Sequence, residues 1–310
     1  MVPGCYHFCG AEMTAPCYKD DMRTLIASLA LLSGCASETR SDDAGPMMDL
    51  TLRSRSTSGE VSMRAVSWSA DETAFIVCDM WDDHWCKGAA RRVGELAPRM
   101  NEVLAVARRH GALIIHGPSS TVAFYKDTPA RKRAQAAPFA ESPAPLSKDD
   151  RWGTKWCWPD KSREPELPID DSDMGCDCAE KCTIREAWTR QHAAIEIDQA
   201  KDAITDDGQE TVNLLAQYKI KHVVLLGVHL NMCVLGRPFA IRQMVHQGRD
   251  VALMRDLTDT MYNSAMRPKV NHFAGTDLVI EHVEKYWCPT FTSSQTVGGK
   301  PFKFREDPHP

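Results

Sequence analysis

Hydrophobic positions along this chain fall into two alternating patterns. Four short apolar runs have the continuity of strands buried on both faces: TAFIVCD from Thr73, ALIIH from Ala112, HVVLLG from His222 and DVALMRD from Asp250. Between them, apolar side chains recur every three or four residues, as on one face of a helix. This alternation predicts an α/β fold, doubly wound, with a mostly parallel sheet and helices on both faces.

The helical segments have recognisable ends. The first, from Ala89, carries its apolar positions on one face and ends at Gly111. The second begins after Asp207, a residue type that caps helices, and turns Val212, Leu215 and Tyr218 inward. Further elements are predicted as follows: an early edge strand or hairpin in MMDLTLRSRS, a helix RPFAIRQMVHQG stopping at Gly248, a last helix TDLVIEHVEKYW and a short edge strand PTFTSS.

Residues 121–187 break the pattern. They are rich in Pro, Lys, Asp and Cys and show no sustained period, which is typical of a functional loop or lid inserted in a compact domain. Cys176, Cys178 and Cys182 lie close together here and can form disulfides or bind a metal. A zinc site usually has a fourth ligand at a recognisable spacing, and none is evident. Disulfides are therefore the favoured interpretation, and no metal or cofactor is expected.

The N-terminal segment resembles a bacterial lipoprotein signal. From Met22 it has one Arg, a short apolar run and the small residues of LLSGC ahead of Cys35. This pattern predicts lipidation at Cys35, whereas a buried helix is the alternative. The predicted organisation is an upstream segment with signal peptide at 1–34, a tether at 35–45, a main α/β domain at 46–290 and a C-terminal tail at 291–310. The cell envelope is the predicted location, or the cytoplasm if the signal is not used.

The composition of the chain limits the classes of molecule that it is expected to bind. The chain has 310 residues, 43% hydrophobic and 25% charged, with a net charge of -5. Such a charge provides no basic surface for nucleic acid. No apolar stretch is long enough to span a membrane, so membrane contact is expected through the lipid anchor only. A small-molecule substrate is the expected partner.

Two reactive residues follow predicted strands. Asp79 ends the first apolar run, and Cys233 lies just beyond the third. Ligands of open parallel sheets bind at the carboxyl ends of the strands, where a carboxylate can accept the thiol proton. The helix after Cys233 is expected to lower the thiol pKa, and backbone N–H groups of that turn to hold an oxyanion. The alternatives are a buried structural thiol and a helix-capping Asp.

The same residues resemble a known family. FIVCDMWDDHWC, around Asp79, and VVLLGVHLNMCVLGRPFAIRQMVHQGRDVALMRDLTDT, around Cys233, are similar to the two motifs of the isochorismatase-like cysteine hydrolases. The resemblance covers about residues 72–118 and 186–287. It implies a three-layer α/β/α fold, an Asp-Lys-Cys triad containing Asp79 and Cys233, and a cis peptide near His229, with His229, Leu230 and Cys233 forming the oxyanion turn. Members often self-associate, so a homo-oligomer is an open alternative.

The family's Lys has no clear match. Arg190, in WTRQH, lies at about the family's interval before the cysteine and is the favoured occupant, with Lys201 as the alternative. An Arg stays charged, so it can hold a thiolate and orient Asp79 but cannot exchange a proton. A surface ion pair is the competing interpretation of Arg190.

Pocket residues can also be predicted. Related nicotinamidases hold a metal through an Asp-x-His pair after the second strand, but IIHGPSS offers only a His, which argues against a metal. The apolar wall is expected from Trp81, His84, Trp85, His116 and Phe124. The resemblance therefore predicts a cysteine-dependent hydrolase (amidohydrolase) of small amide or imide C–N bonds through a thioester. The alternative is a non-catalytic binding or scaffold protein on the same fold.

Overall fold

The computed structural model describes residues 45–308. The predicted signal peptide, the lipidated Cys35 and all but the last residue of the tether lie outside this range. Within it, no helix is long and apolar enough to cross a membrane.

Ten strands and seven helices follow one another along the described chain. The strands are β1 Met47–Arg55, β2 Val61–Ser69, β3 Thr73–Cys78, β4 Leu113–Gly117, β5 Asp150–Arg151, β6 Thr154–Lys155, β7 Ala203–Ile204, β8 His222–Val228, β9 Asp250–Asp259 and β10 Thr290–Phe291. The helices are α1 Lys87–Arg109, α2 Pro129–Ala136, α3 Gly208–Gln217, α4 Cys233–Gly236, α5 Ile241–His246, α6 His272–Tyr286 and α7 Ser294–Val297.

Eight strands form one mostly parallel sheet in the order β2-β1-β10-β9-β8-β3-β4-β7. Antiparallel pairing is confined to the β2–β1 hairpin and its contact with β10. The four apolar runs supply the centre of the sheet, because only strands apolar on both faces can be covered by helices on both sides. The predicted doubly wound architecture is thus confirmed.

The side-chain alternation of each strand divides the core into two layers. Phe75 and Val77 of β3 lie in the cluster that contains the apolar face of α1. Ile76 and Cys78 lie in the opposite cluster, with residues of α3, α4, α5 and α6. Two helical layers therefore enclose the sheet, and the carboxyl ends of β3 and β8 meet at one edge.

Three local predictions differ from the structure. Residues 121–187 are not wholly irregular, because Thr128 caps α2 by accepting a hydrogen bond from the N–H of Arg131, and β5 and β6 form a small hairpin. The helix predicted after Cys233 is broken into α4 and α5 around Pro238, which lacks the N–H that a continuous helix needs. Tyr218 is not inward-facing but is 37% exposed.

The predicted domain boundary at 290 divides a strand. β10 pairs with β9, and the N–H of Phe302 donates to Asp256. Phe304 is buried in the cluster that contains α1. The segment through residue 308 is therefore part of the domain rather than a separate tail.

Candidate active site

Asp79 and Cys233 lie at the ends of neighbouring parallel strands. Asp79 follows β3 with a φ of 47°, and Cys233 opens α4 five residues beyond β8. Between the strands, Gly227 has a φ of 116°, and a Cβ there would lie 2.1 Å from the carbonyl oxygen of Cys78. Only glycine allows this approach, which brings the two strand ends into contact.

The Asp79 carboxylate is fully buried and held at both oxygens. Oδ1 accepts a hydrogen bond from the N–H of Ser119 at 2.8 Å, and Oδ2 accepts one from Nε of Arg237 at 2.9 Å. The Cys233 thiol lies close enough to this carboxylate for the Asp79 charge to raise the pKa of the thiol. A buried charge requires a partner of this kind, so Arg237 is what keeps an ionised Asp79 stable in the core.

Arg237 is the cation of the site. Its side chain is 1% exposed, and Nη1 donates to Thr154 Oγ1 at 2.7 Å and to the carbonyl oxygens of Arg151 and Trp152. The hairpin of β5 and β6 therefore fixes the guanidinium from the side opposite Asp79. Nearby negative charge, chiefly Asp79, raises the Arg237 pKa against the effect of burial, so the group remains protonated.

The thiol is protonated at rest. Burial raises the pKa of Cys233 well above its ordinary value; the charge of Arg237 lowers it, and the charge of Asp79 raises it. The prediction of a lowered thiol pKa is wrong, because α4 is only four residues long and burial outweighs its positive end. A nucleophilic role for Cys233 would therefore require a nearby group that accepts the thiol proton, and the Asp79 carboxylate lies beside the thiol.

The cis peptide expected near His229 is present at Val228–His229. The carbonyl oxygen of His229 accepts a hydrogen bond from the N–H of Val234, one residue after Cys233. The N–H of Leu230 donates to Asp259 and is not available to an oxyanion. The N–H of Cys233 belongs to the first turn of α4, whose amides have no partner within the helix.

A cavity of about 420 Å³ opens onto Cys233. Its wall is largely aromatic, and Trp81 stacks on Trp188 at 4.5 Å between ring centroids. Sixteen residues line it: Trp81, His84, Trp85, Ser120, Trp152, Gly153, Met174, Ile184, Arg185, Glu186, Trp188, His229, Met232, Cys233, Arg237 and Met261. Six of these residues, from Trp152 through Glu186, belong to the inserted segment 121–187, and Ser120 and Trp188 lie at its two ends. The inserted segment is therefore part of the pocket.

The histidines of this cavity are neutral at pH 7. Burial lowers the pKa of His84 to about 4 and that of His229 well below its ordinary value. His229 Nε2 and Trp188 Nε1 are buried and have no hydrogen-bond partner within the described part of the chain. Both groups can therefore bind a polar atom of a ligand, and neither contributes a charge.

Arg190 does not occupy the position expected of it. Its side chain is 47% exposed, lies 3.9 Å from Asp82 and sits over the Phe124 ring at 5.5 Å. Only its backbone approaches the site, accepting a hydrogen bond from Asp82 N–H. The position of Arg190 fits the alternative interpretation as a surface ion pair, and the cation that lies beside Asp79 is Arg237.

Lys201 is also outside the site. It is exposed and does not line the cavity. The strand beside β4 is β7, and it leads into Thr205 and Asp206 rather than a lysine. Asp206 accepts a hydrogen bond from Ser120 N–H. Burial raises the pKa of Asp206, and the nearby charge of Asp79 adds a smaller increase. The carboxyl group of Asp206, rather than a lysine, therefore lies where the chain after β7 approaches the site.

The pocket prediction is correct in part. Trp81, His84 and Trp85 line the cavity. His116 is fully buried beneath it, bonded to Gln191 Oε1 at 2.9 Å and Asp202 Oδ2 at 3.0 Å. Phe124 is 58% exposed. Neither of these last two reaches the ligand space.

Arg237 could have been found from the spacing CVLGR. It follows the cysteine by four residues, the separation that places two side chains on one helical face. The contributions of Thr154 and Trp152 carried no comparable signal, because both residues lie in the segment without a period.

The eight cysteines of residues 45–308 are free thiols. The predicted disulfides among Cys176, Cys178 and Cys182 are therefore not formed. Instead, Cys86 joins this group: its Sγ and those of Cys176 and Cys178 all lie within 4.8 Å of one another.

Comparisons with known proteins give structural neighbours only. No family model and no curated protein sequence matches the chain. Three solved structures illustrate the neighbours. A cysteine hydrolase from Pseudomonas syringae pv. phaseolicola is 14% identical, with a TM-score of 0.45 over 74% of this chain and 92% of that one. An isochorismatase family protein from Burkholderia thailandensis is 12% identical, with a TM-score of 0.42 over 73% and 94%. The N-carbamoylsarcosine amidase from Thermoplasma acidophilum is 10% identical, with a TM-score of 0.34 over 60% and 83%.

The mostly parallel sheet with helices on both faces is the arrangement predicted from the sequence, and the solved structures that the chain resembles are consistently isochorismatase family and cysteine hydrolase proteins.

Proposed function

We propose that the chain is a cysteine hydrolase that cleaves a C–N bond of a small, neutral amide or imide. The observation that carries this proposal is the buried contact of Asp79 with both Arg237 and Cys233 at the base of an aromatic cavity. A base, a nucleophile and a fixed cation in one enclosed site are the parts that covalent acyl transfer requires.

The reaction begins with the protonated thiol. As Sγ of Cys233 attacks the substrate carbonyl carbon, Asp79 accepts the thiol proton, and the carbonyl oxygen becomes an oxyanion facing the N–H of Cys233. Collapse of this intermediate breaks the C–N bond, and Asp79 protonates the leaving nitrogen. A thioester with Cys233 remains. Water then attacks it, with Asp79 again taking a proton, and the thiol and a carboxylic acid are released.

Arg237 takes no proton in this scheme. Its charge offsets that of Asp79 and, through its effect on the Cys233 pKa, favours the thiolate as it forms. Because the β5–β6 hairpin holds the other side of the guanidinium, the cation stays in place when Asp79 becomes neutral. This fixed geometry supports electrostatic preorganisation of the site.

The cavity favours a flat, uncharged substrate. Stacked Trp81 and Trp188 supply a planar apolar wall, and the neutral imidazole of His229 offers a polar atom at its base. Arg185 and Glu186 are exposed and of opposite sign, so they add no net charge to the opening. Small neutral aromatic amides and cyclic imides have the matching chemistry.

The raised pKa of Cys233 favours the second candidate, a binding protein with an inert thiol. The two differ in one outcome, since only the hydrolase forms a covalent acyl adduct. We expect acid-quenched mixtures of the full chain with small amides and imides to show an acyl mass on the peptide that contains Cys233.

Cys233→Ala should abolish both this adduct and release of the amine, while the far-ultraviolet circular dichroism is retained. Cys157→Ala is the matched control, because Cys157 is a buried thiol outside the cavity. Undiminished turnover by the Cys233→Ala variant would overturn the hydrolase proposal. Ligand binding without any adduct in the unmodified chain would support the binding protein.

A further inference from the structure

Four cysteines converge where the inserted segment meets the start of α1. Cys86 is fully buried in the loop that precedes α1, while Cys176 and Cys178 lie about 90 residues later in the inserted segment. Cys86 Sγ is 3.7 Å from Cys178 Sγ. The Cys182 thiol, four residues after Cys178, lies close enough to Cys176 and Cys178 to interact electrostatically with both.

The spacing of these sulfurs matches a metal site better than a disulfide. A disulfide needs its sulfurs at about 2.05 Å. Four thiolates at about 2.3 Å from a tetrahedral zinc ion are about 3.8 Å from one another. The measured separation of Cys86 and Cys178 is close to that tetrahedral edge, and the whole group of three is compact enough to share one ion.

The surroundings are those of bound thiolates. A backbone N–H at the start of α1 points at one of the sulfurs: Gly88 donates to Cys178 Sγ at 3.1 Å. A Cβ on Gly88 would lie 2.9 Å from Asp177 Oδ1, so the close packing of the two segments depends on glycine. This donor and the positive end of a 23-residue helix stabilise negative sulfur.

A buried cation completes the environment. Arg92 is 3% exposed, donates to Asp177 Oδ2 at 3.1 Å and to Asp259 Oδ2 at 2.7 Å, and lies close enough to Cys86 for their charges to interact. A tetrathiolate zinc site carries a net charge of about -2. Arg92 lies where that charge needs to be offset.

We propose that Cys86, Cys176, Cys178 and Cys182 bind one structural zinc ion. Thiolate ligands select soft ions over magnesium or calcium, and four protein ligands leave no position open for catalysis. The ion fastens the inserted segment to the loop after β3. Residues of the loop, including His84, and residues of the segment, including Ile184, both line the cavity, so the ion holds two walls of the pocket together.

Zinc binding is independent of the proposed hydrolase activity and is tested by its own readouts. The full chain, purified without chelator, should contain about one zinc ion by elemental mass spectrometry. Replacement by cobalt(II) should produce thiolate-to-cobalt charge-transfer absorption and the visible bands of a tetrahedral site. A metal content far below one ion in the unmodified chain would overturn the proposal, as would iron at the same stoichiometry.

Variants assign the ligands. Cys176→Ser and Cys182→Ser should lose the zinc and speed proteolytic cleavage between residues 174 and 188, whereas Cys157→Ser and Cys288→Ser should retain both the metal and the resistance. The cobalt spectrum of the unmodified chain keeps the test decisive if a variant fails to fold. Recovery of disulfide-linked peptides joining these four cysteines in the native, unreduced protein would instead show that oxidation holds the segment.

Discussion

At the residue scale, the site depends on a buried ion pair. Asp79 and Arg237 are both almost fully buried, and each charge is tolerated only because the other is present. Loss of one member leaves an uncompensated charge, at a cost of about 3–5 kcal/mol. The thiol of Cys233 lies within the same electrostatic environment, so its reactivity reports on the pair without any substrate.

Arg237→Gln should make Cys233 harder to ionise. Burial raises the Cys233 pKa and Arg237 lowers it, so removing the guanidinium should shift iodoacetamide labelling of Cys233 to higher pH. Peptide mass spectrometry across a pH series measures the shift. Turnover should fall by about 100-fold, and Arg237→Lys should restore only part of it, since lysine lacks the fork that reaches both Asp79 and the hairpin.

Arg190→Gln is the matched control for this experiment. Its side chain is exposed and paired only at 3.9 Å, so labelling and turnover should stay within about twofold of the unmodified chain. A larger loss in Arg190→Gln than in Arg237→Gln would return the catalytic cation to the position predicted from the sequence.

At the element scale, the inserted segment is built into the domain. Its β5–β6 hairpin holds Arg237, and Glu164 ties it to two helices. Glu164 Oε1 accepts from Arg242 of α5 at 2.7 Å, and Oε2 accepts from His282 of α6 at 2.8 Å. Burial alone would raise the Glu164 pKa, but these hydrogen bonds lower it to about 2.

Glu164→Gln should destabilise the fold at pH 7 by about 3–5 kcal/mol, because Arg242 would be left buried without its partner. The Glu164 contribution is fully present above the ordinary glutamate pKa of 4.5 and is lost as pH falls toward the folded value of about 2. The free energy of unfolding of the unmodified chain should therefore approach that of the variant across this range.

Denaturant titrations at pH 7 and at acid pH measure this difference. Glu166→Gln, an exposed glutamate two residues away, should leave stability almost unchanged and serves as the control. Equal stability of the two variants at pH 7 would mean that the segment is not anchored through Glu164.

At the scale of the whole molecule, one domain extends from β1 to beyond α7. The chain's last described residues return to the sheet, where Phe304 packs in the same core layer as α1. None of the helices in residues 45–308 is long and apolar enough to span a membrane.

We expect Cys35 to anchor the protein. Its lipobox-like sequence predicts acylation of the cysteine. The affinity of an acylated cysteine for a bilayer rises with the length and number of its acyl chains. In a bacterial host, the full chain should pellet with membranes, and Cys35→Ser should move it to the soluble fraction, as immunoblots of the fractions would show. Cys17→Ser, upstream of the signal, should pellet like the unmodified chain. An identical distribution of all three would contradict lipidation.

The sequence by itself determined the sheet and two of its reactive residues. Strands covered by helices on both faces must be continuously apolar, so four such runs revealed the parallel core and its order of elements. The carboxyl ends of parallel strands lie at one edge of the sheet, and this rule alone predicts that Asp79 lies beside Cys233. The sequence also predicted the cap of a helix correctly, because the Asp207 side chain caps α3 by accepting a hydrogen bond from the N–H of Glu210.

Only the tertiary structure decided which cation and which cysteines complete the sites. Arg190 and Arg237 are the same residue type, so the sequence alone does not show which of them lies beside Asp79. The position of Arg237 depends on the break in the helix at Pro238 and on the β5–β6 hairpin, which hydrogen-bonds to its guanidinium. Cys86 and Cys178 are separated by 92 residues in the sequence, and hydrophobic periodicity does not predict contacts between residues so far apart along the chain. Local patterns record which side chains are buried; contacts between distant segments arise from packing, and packing determined both of these sites.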